Sequence, residues 1–227
     1  MSFLRKGARE DPLLLLREGV AALDITLPQE ALSRFAVYLR ELQTWNARVN
    51  LTGLKSTRDM VIRHFLDSLA VLPFLNDVAS LADLGSGAGF PGLVLKLARP
   101  ELKLTLVESR GKKVAFLEYL VALWHLSGVE IIQAHLTSRL ARKWGPRFTG
   151  VTSRAAFPLK RFLELAAPLL LPGGRALALK GPGLPPAEIE AAERHLAALH
   201  LEGLEFQKYR LPLSGEARLF VLAYKVR

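Results

Sequence analysis

The stretch Asp83-Leu84-Gly85-Ser86-Gly87-Ala88-Gly89-Phe90-Pro91-Gly92 limits what this chain can fold into more than any other feature. It ends the short apolar run Leu81–Leu84 and opens the helix-length segment Gly92–Ala98. Glycines at such a junction let the backbone turn tightly and approach a ligand with no side chain in the way. Strand, glycine loop and helix in that order begin a parallel-sheet unit, since the chain must cross back over the sheet before it can pair again. The residues that follow keep the pattern. Lys103–Val107, Val129–Gln133, Gly150–Ser153 and Arg175–Lys180 read as buried strands. Lys112–Leu126, a short irregular piece at Leu136–Arg142, and Leu159–Leu170 lie between them. This alternation predicts an α/β fold with a mainly parallel sheet covered by helices. Pro185–Leu199 predicts a further helix, and Leu204–Tyr209 with Leu219–Val226 a closing pair of strands.

Residues 1–76 read differently, as a helical extension packed on a sheet domain of residues 77–227. Pro12 starts a helix to about Asp24, and Pro28 a longer one with Leu32, Phe35, Leu39 and Leu42 on one face. A loop is expected around Asn46–Ser56. Thr57 is then expected to cap a helix carrying Val61, Phe65, Leu69 and Leu72 that stops at Pro73.

The loop chemistry narrows the ligand. Gly87-x-Gly89-x-x-Gly92 matches a dinucleotide fingerprint, which alone is weak evidence. The first loop glycine, Gly85, stands two residues after an acid, and a carboxylate at Asp83 would repel a pyrophosphate. It suits a ligand with a cationic amino group, such as the methionine end of S-adenosylmethionine. Glu108, closing the second strand, is placed to accept hydrogen bonds from ribose hydroxyls. Leu171-Pro172-Gly173-Gly174 resembles the turn before the fifth strand of class I methyltransferases.

Charge bears on the acceptor. The chain has 227 residues, 31 Lys+Arg against 21 Asp+Glu, and a formal net charge of +10. Between Glu130 and Glu164 no acid occurs, while Arg139, Arg142, Lys143, Arg147, Arg154, Lys160 and Arg161 do. Arg5–Lys6–Arg9 and Arg110–Lys112–Lys113 are further basic clusters. Such excess attracts polyanions by releasing their counterions. With no cysteine, the chain has no disulfide, thiolate metal site or cysteine nucleophile, so methylation at pyrimidine C5 by the usual covalent route is excluded. The position after the fourth strand reads Thr152-Ser153-Arg154-Ala155-Ala156-Phe157-Pro158, not the Asn/Asp-Pro-Pro-aromatic motif of amino-group methyltransferases. The apolar stretch Leu165–Pro172 is too short for a membrane span, and Leu13–Leu16 is broken by Arg17 and Glu18. A cytoplasmic protein with no membrane partner and no metal is expected.

Asn50-Leu51-Thr52, Arg63-His64 with Asp67-Ser68-Leu69, the glycine loop through Phe90-Pro91-Gly92, Ser109 with Gly111-Lys112-Lys113, Ser153-Arg154-Ala155 and Leu179-Lys180-Gly181 occur in that order. Together they resemble the glucose-inhibited division protein B (GidB/RsmG) family of small-subunit ribosomal RNA guanine-N7 methyltransferases, from roughly residue 35 to the end of the sheet domain. The resemblance implies a class I (Rossmann-like) fold with a helical addition, S-adenosylmethionine as donor, and a guanine of 16S ribosomal RNA, free or in the small subunit, as acceptor. Guanine N7 already carries a lone pair, so such an enzyme needs placement of the methyl group and no general base. Two departures remove acids: His135-Leu136-Thr137 stands where the family tends to Arg-x-Glu, and Phe148-Thr149 where it tends to Phe-Asp.

The expected cofactor contacts are Asp83, Gly85, Gly87, Gly89, Phe90, Glu108, the backbone at Leu136 and Thr137, and Arg154. Arg154, Lys180, Asn50 and Lys112 are the expected substrate contacts, with Arg154 as the positioning residue. His64 and Asp67, three apart on one helix, read as structural rather than as half a metal site. Trp45, Trp124 and Trp144 read as packing residues. A monomer is expected. Two other readings fit the same residues: a methyltransferase of this fold acting on a protein or small molecule, and a non-catalytic RNA-binding assembly factor.

Overall fold

The computed structural model describes residues 11–227; the basic cluster at residues 5–9 lies outside them. Helix α1 (Pro12–Ala22) starts where Asp11 accepts a hydrogen bond from the Leu13 amide, and proline fills its first position. Helix α2 (Ala31–Val49) runs four residues into the expected loop and ends at Asn50, in the left-handed conformation with φ 53°. The next segment is α3 (Thr57–Met60), a π-helical stretch (Val61–Leu66) and α4 (Asp67–Leu69). Its cap is Ser56, whose Oγ accepts from the Asp59 amide at 2.9 Å. Thr57 instead accepts a hydrogen bond from Gln43 Nε2 at 2.8 Å. Pro73 sits inside a separate 3-10 turn, Leu72–Leu75.

The alternating part runs β1 (Ser80–Leu84), α5 (Gly92–Ala98), β2 (Lys103–Glu108), α6 (Gly111–Leu123), β3 (Val129–Gln133), α7 (Ser138–Trp144), β4 (Phe148–Arg154), α8 (Leu159–Ala166), β5 (Leu170–Lys180), α9 (Pro186–Glu193), β6 (Leu201–Arg210) and β7 (Ala217–Lys225). The expected irregular piece at Leu136–Arg142 is therefore helical from Ser138, with Thr137 as its cap. The seven strands lie in the order β3-β2-β1-β4-β5-β7-β6. Strands β1 to β5 pair in parallel, and β7 enters antiparallel between β5 and β6. The chain leaves β1 towards β2 and β3, then returns to place β4 on the other side of β1. The strand order therefore reverses beside β1, and the carboxyl edge at such a reversal is the usual ligand position in sheets of this kind. Leu170 pairs with Phe148 but Arg175 with Gly150, so Leu171-Pro172-Gly173-Gly174 is looped out of β5 rather than placed before it.

The front helices bury their apolar faces against one side of the sheet. Phe35, Tyr38, Leu39 and Leu42 of α2 share one continuous apolar core with Phe65, Phe90, Leu93, Phe116 and Leu117. Tyr38 packs on Phe65 and Phe90 with ring centroids 5.2 and 5.1 Å away, and on Trp124 at 5.8 Å. Trp45 lies on Phe116 at 5.4 Å, so two of the tryptophans are packing residues. Trp144 packs against the second core, on the other face of the sheet.

Candidate active site at the carboxyl edge of the sheet

Three glycines of the loop, Gly85, Gly87 and Gly89, have φ of 72°, 60° and 94°, which side chains resist. A Cβ on Gly85 would stand 2.7 Å from Ala156 Cβ, so this loop and the one after β4 nearly touch. Two cavities meet here. The first, about 310 Å³, is walled by Gly85, Val107, Glu108, Ser109, Arg110, Lys113, Ala134, His135, Leu136, Ala156 and Phe157. The second, about 240 Å³, is walled by Leu51, Thr52, His64, residues 85–88, Phe90, Lys113, Arg154 and Ala156. Gly85, Lys113 and Ala156 belong to both.

The two expected acids hold the loop as well as facing a ligand. Glu108 Oε2 accepts from the Gly87 amide at 2.9 Å, and Oε1 from the amides of Ser109 and Arg110, each at 2.9 Å. It lines the first cavity and keeps a lone pair free on Oε2. Asp83 is fully buried behind the loop and stands in neither cavity wall. Its Oδ2 accepts from the Gly92 amide at 2.9 Å, while Oδ1 is buried with no partner. Burial pushes its pKa up to about 7, against the pull of the Gly92 bond and of Arg154. An unpaired carboxylate oxygen beside a side-chain-free loop fits a ligand that brings a cationic amino group, and the cofactor expected from the sequence does.

Arg154 is the hinge of the site. Its guanidinium is largely buried, donates to the Arg63 carbonyl at 2.6 Å, stands 3.9 Å from Asp67 Oδ2 and lies 5.2 Å over the Phe90 ring. The Arg63 carbonyl belongs to the π-helical stretch, whose loosened spacing frees carbonyl groups for outside donors. Phe90 is both a core ring and a wall of the second cavity, stacked on His64 at 4.5 Å. His64 Nε2 bonds Thr52 Oγ1 at 2.8 Å, and burial followed by the field of Arg154 pulls its pKa down to about 3. Its Nδ1 is buried with no partner, and the ring stands in the wall of the second cavity. Among the described residues, no group of three or more His, Cys, Asp or Glu is placed to hold a metal.

Other expected contacts scatter. Leu136 lines the first cavity, whereas Thr137 caps α7 by accepting from the Leu140 amide at 3.2 Å. Asn50 is exposed, terminates α2 and lines neither cavity, although its neighbours Leu51 and Thr52 wall the second. Lys112 is exposed and outside the cavities; Lys113, one residue on, stands in both. Lys180 lines a third cavity, about 310 Å³, with Asp67, Arg154, Ala155, Leu179, Gly181 and Arg218. The acid-free stretch is also divided. Arg147 precedes β4 at the amino edge, where it pairs with Glu130 at 3.6 Å, far from the glycine loop along the strand. The residues that sequence reasoning missed, Lys113, Asp67 and Arg218, come from three separate elements.

This sheet order, with its one antiparallel strand and a glycine loop between two cavities, defines a class I S-adenosylmethionine-dependent methyltransferase. Solved structures share the fold at low identity. A methyltransferase from Pyrococcus furiosus matches with TM-score 0.55 and 15% identity over 86% of this chain and 99% of its own. A predicted O-methyltransferase from Agrobacterium tumefaciens matches with TM-score 0.53 and 19% identity over 65% and 74%. Closer relatives define the family. A ribosomal RNA small subunit methyltransferase G from Myxococcus xanthus is 42% identical over 89% of this chain and 92% of its own length. One of the same name from Roseiflexus castenholzii is 40% identical over 89% and 86%. The chain belongs to the GidB family, rRNA small subunit methyltransferase G, whose pattern matches residues 31–213.

Proposed function

We propose that this chain methylates N7 of a guanine in 16S ribosomal RNA, on the free RNA or within the small subunit, acting as a cytoplasmic monomer. The observation that carries this reading is the second cavity, whose walls hold no carboxylate and whose one titratable ring, His64, has a pKa of about 3. Such a site cannot take a proton from its acceptor at neutral pH, and guanine N7 has none to lose. When bound, S-adenosylmethionine would supply an electrophilic methyl group, whose bond to the sulfonium sulfur is exchanged for one to a nitrogen lone pair with release of S-adenosylhomocysteine.

The residues divide the remaining work. Glu108 and the backbone at Leu136 would hold the nucleoside end of the cofactor in the first cavity. Gly85 and Gly87 leave room for the cofactor to approach the backbone, Gly89 lets the loop pack on Tyr38 and Leu93, and the free oxygen of Asp83 would accept from the cofactor's ammonium. Arg154, fixed by the Arg63 carbonyl, orients the groups that meet in the second cavity. Arg110, Lys112 and Lys113 on the rim would grip phosphates, which positions RNA without reading its sequence. Since A-form RNA hides N7 in a deep, narrow groove, the guanine enters from a loop or flipped out of a helix.

Labelled S-adenosylmethionine, incubated with small ribosomal subunits and with naked RNA from a strain lacking the protein, tests the reading. Label on guanine N7 of the small-subunit RNA is expected. Label confined to protein, to small molecules or to another base would overturn it.

A further inference from the structure

The third cavity lies at the carboxyl ends of β4 and β5 and shares Arg154 with the wall of the second. Three cations face it, and each already has a partner. Lys180 Nζ holds Glu188 at 3.0 Å and the Phe157 carbonyl at 2.7 Å. Arg218 holds Glu216 at 2.9 Å, and Arg154 donates to Arg63 at 2.6 Å. The group left open is an acceptor. Asp67 Oδ1 takes the Tyr209 hydroxyl and lies 3.7 Å from Arg218 Nε, while Oδ2 lies 3.9 Å from Arg154 Nη1 and takes no hydrogen bond among the described residues. Asp67 is only 5% exposed, and what it exposes lines this cavity, where a ligand's donors can reach its carboxylate.

We propose that this cavity receives the pairing edge of the target guanine, with the Asp67 carboxylate accepting its N1–H and N2–H groups and N7 turned past Arg154 towards the carboxylate-free second cavity. The proposal rests on the guanine-N7 reading above and adds the place and manner of recognition. Guanine alone among the four bases offers two adjacent donors on its pairing edge. Adenine and cytosine set an acceptor beside one donor, and uracil sets one donor between two acceptors. The orientation also follows from the reaction. An arginine fork on O6 and N7, the usual way to read guanine, would occupy the lone pair that must react. Holding the N1/N2 edge leaves N7, at the far side of the purine, unobstructed. Ala155 and Gly181 keep the cavity open, and a Cβ on Gly181 would touch nothing within 4 Å.

The test uses the full chain saturated with S-adenosylhomocysteine and three probes: guanosine, inosine and adenosine 5′-monophosphates, followed by saturation-transfer NMR and calorimetry. A lost hydrogen-bonded edge predicts about tenfold weaker binding of inosine monophosphate, which lacks the N2 amino group, and weaker still of adenosine monophosphate. Asp67→Asn should erase that preference. Gly181→Leu, at a position where a Cβ meets no atom within 4 Å, should abolish guanosine monophosphate binding and RNA methylation together. Both variants should keep their S-adenosylhomocysteine affinity. If Asp67→Asn does not fold, Gly181→Leu decides. Equal binding of the three nucleotides by the parent, or a Gly181→Leu protein that methylates RNA at the parent rate, overturns the pocket. The functional reading fails separately, if the parent itself places no label on guanine.

Discussion

The glycine loop after β1 and the side-chain cluster after β4 and β5 face each other across the site, and they are built by opposite means. The loop is made of backbone. Its shape comes from positive φ at Gly85, Gly87 and Gly89, and its two acids are tied to the amides of Gly87, Gly92, Ser109 and Arg110. The opposite cluster is made of side chains: Asp67 from α4, Arg154 from β4, Lys180 from β5 and Arg218 from β7. A backbone device is local, so it survives or fails within a few residues. A side-chain device spans the chain, and any member acts on the others through the shared field.

The largest expected effect breaks the backbone side. Gly89→Ala places a Cβ against Tyr38 Oη and 2.9 Å from Leu93 Cδ1, at a φ of 94°. Strain and overpacking together should cost about 3 kcal/mol in denaturant unfolding and remove cofactor binding in calorimetry. Retained cofactor affinity would mean the loop is not the ligand's seat.

Next comes the side-chain side. Arg154→Ala should lower the turnover number on the order of a hundredfold, because misplacement of reacting groups by about an ångström has that effect. Added RNA should not restore it, and Arg154→Lys should recover only part, lacking the planar fork. Full recovery at saturating RNA would reduce Arg154 to a phosphate contact.

Asp83 sharpens the comparison through pH. Its pKa is about 7 in the folded protein against about 4 in the unfolded chain, so the native state holds the proton more tightly. Its contribution therefore favours the fold below pH 4 and is lost progressively as pH rises to 7. Asp83→Asn should raise the melting temperature of the ligand-free protein at pH 8 while weakening cofactor binding roughly tenfold or more. In the parent, cofactor affinity should fall as pH drops below 7, since an ammonium ligand needs the ionised carboxylate. A flat profile between pH 6 and 8 would sever Asp83 from the ligand.

The smallest effects separate the basic residues. Lys113→Ala, in both cavity walls, should weaken RNA binding several-fold, whereas Arg147→Ala, at the amino edge and paired with Glu130, should change it little. RNA affinity should also fall steeply with salt while cofactor affinity barely moves. Equal losses at both positions would put the RNA on a different face.

Much of this was legible because it was local. The strands after Ser80 follow short apolar runs, and the glycine loop announces its own turn. The position of Arg154 at the carboxyl edge was legible too, although it is the last residue of β4 rather than the first beyond it. What escaped depends on contacts between distant segments. Lys112 and Lys113 are indistinguishable as letters, and only the phase of α6 turns Lys113 inward. Asn50 looked like a ligand contact but ends α2 with a left-handed φ, a place where asparagine is tolerated. The π-helical spacing at Val61–Leu66 leaves no mark in an apolar pattern, yet it provides the carbonyl that holds Arg154. The run of basic residues is continuous in sequence, but α7 carries the chain back across the sheet and separates its ends.

The contact of Tyr38 with the glycine loop has a consequence for how the chain is made. Its hydroxyl donates to the Ala88 carbonyl, and its ring rests on Phe90. Helix α2 is synthesised before either partner, when Phe35, Tyr38, Leu39 and Leu42 still lack the loop and α6 that cover them. The first helices must wait, half-formed and adhesive, until β1, the loop and α6 emerge to receive them. A stall in translation between Val49 and Phe116 would hold the nascent chain at its most aggregation-prone length, and a fragment starting at β1 would show the complementary bare face.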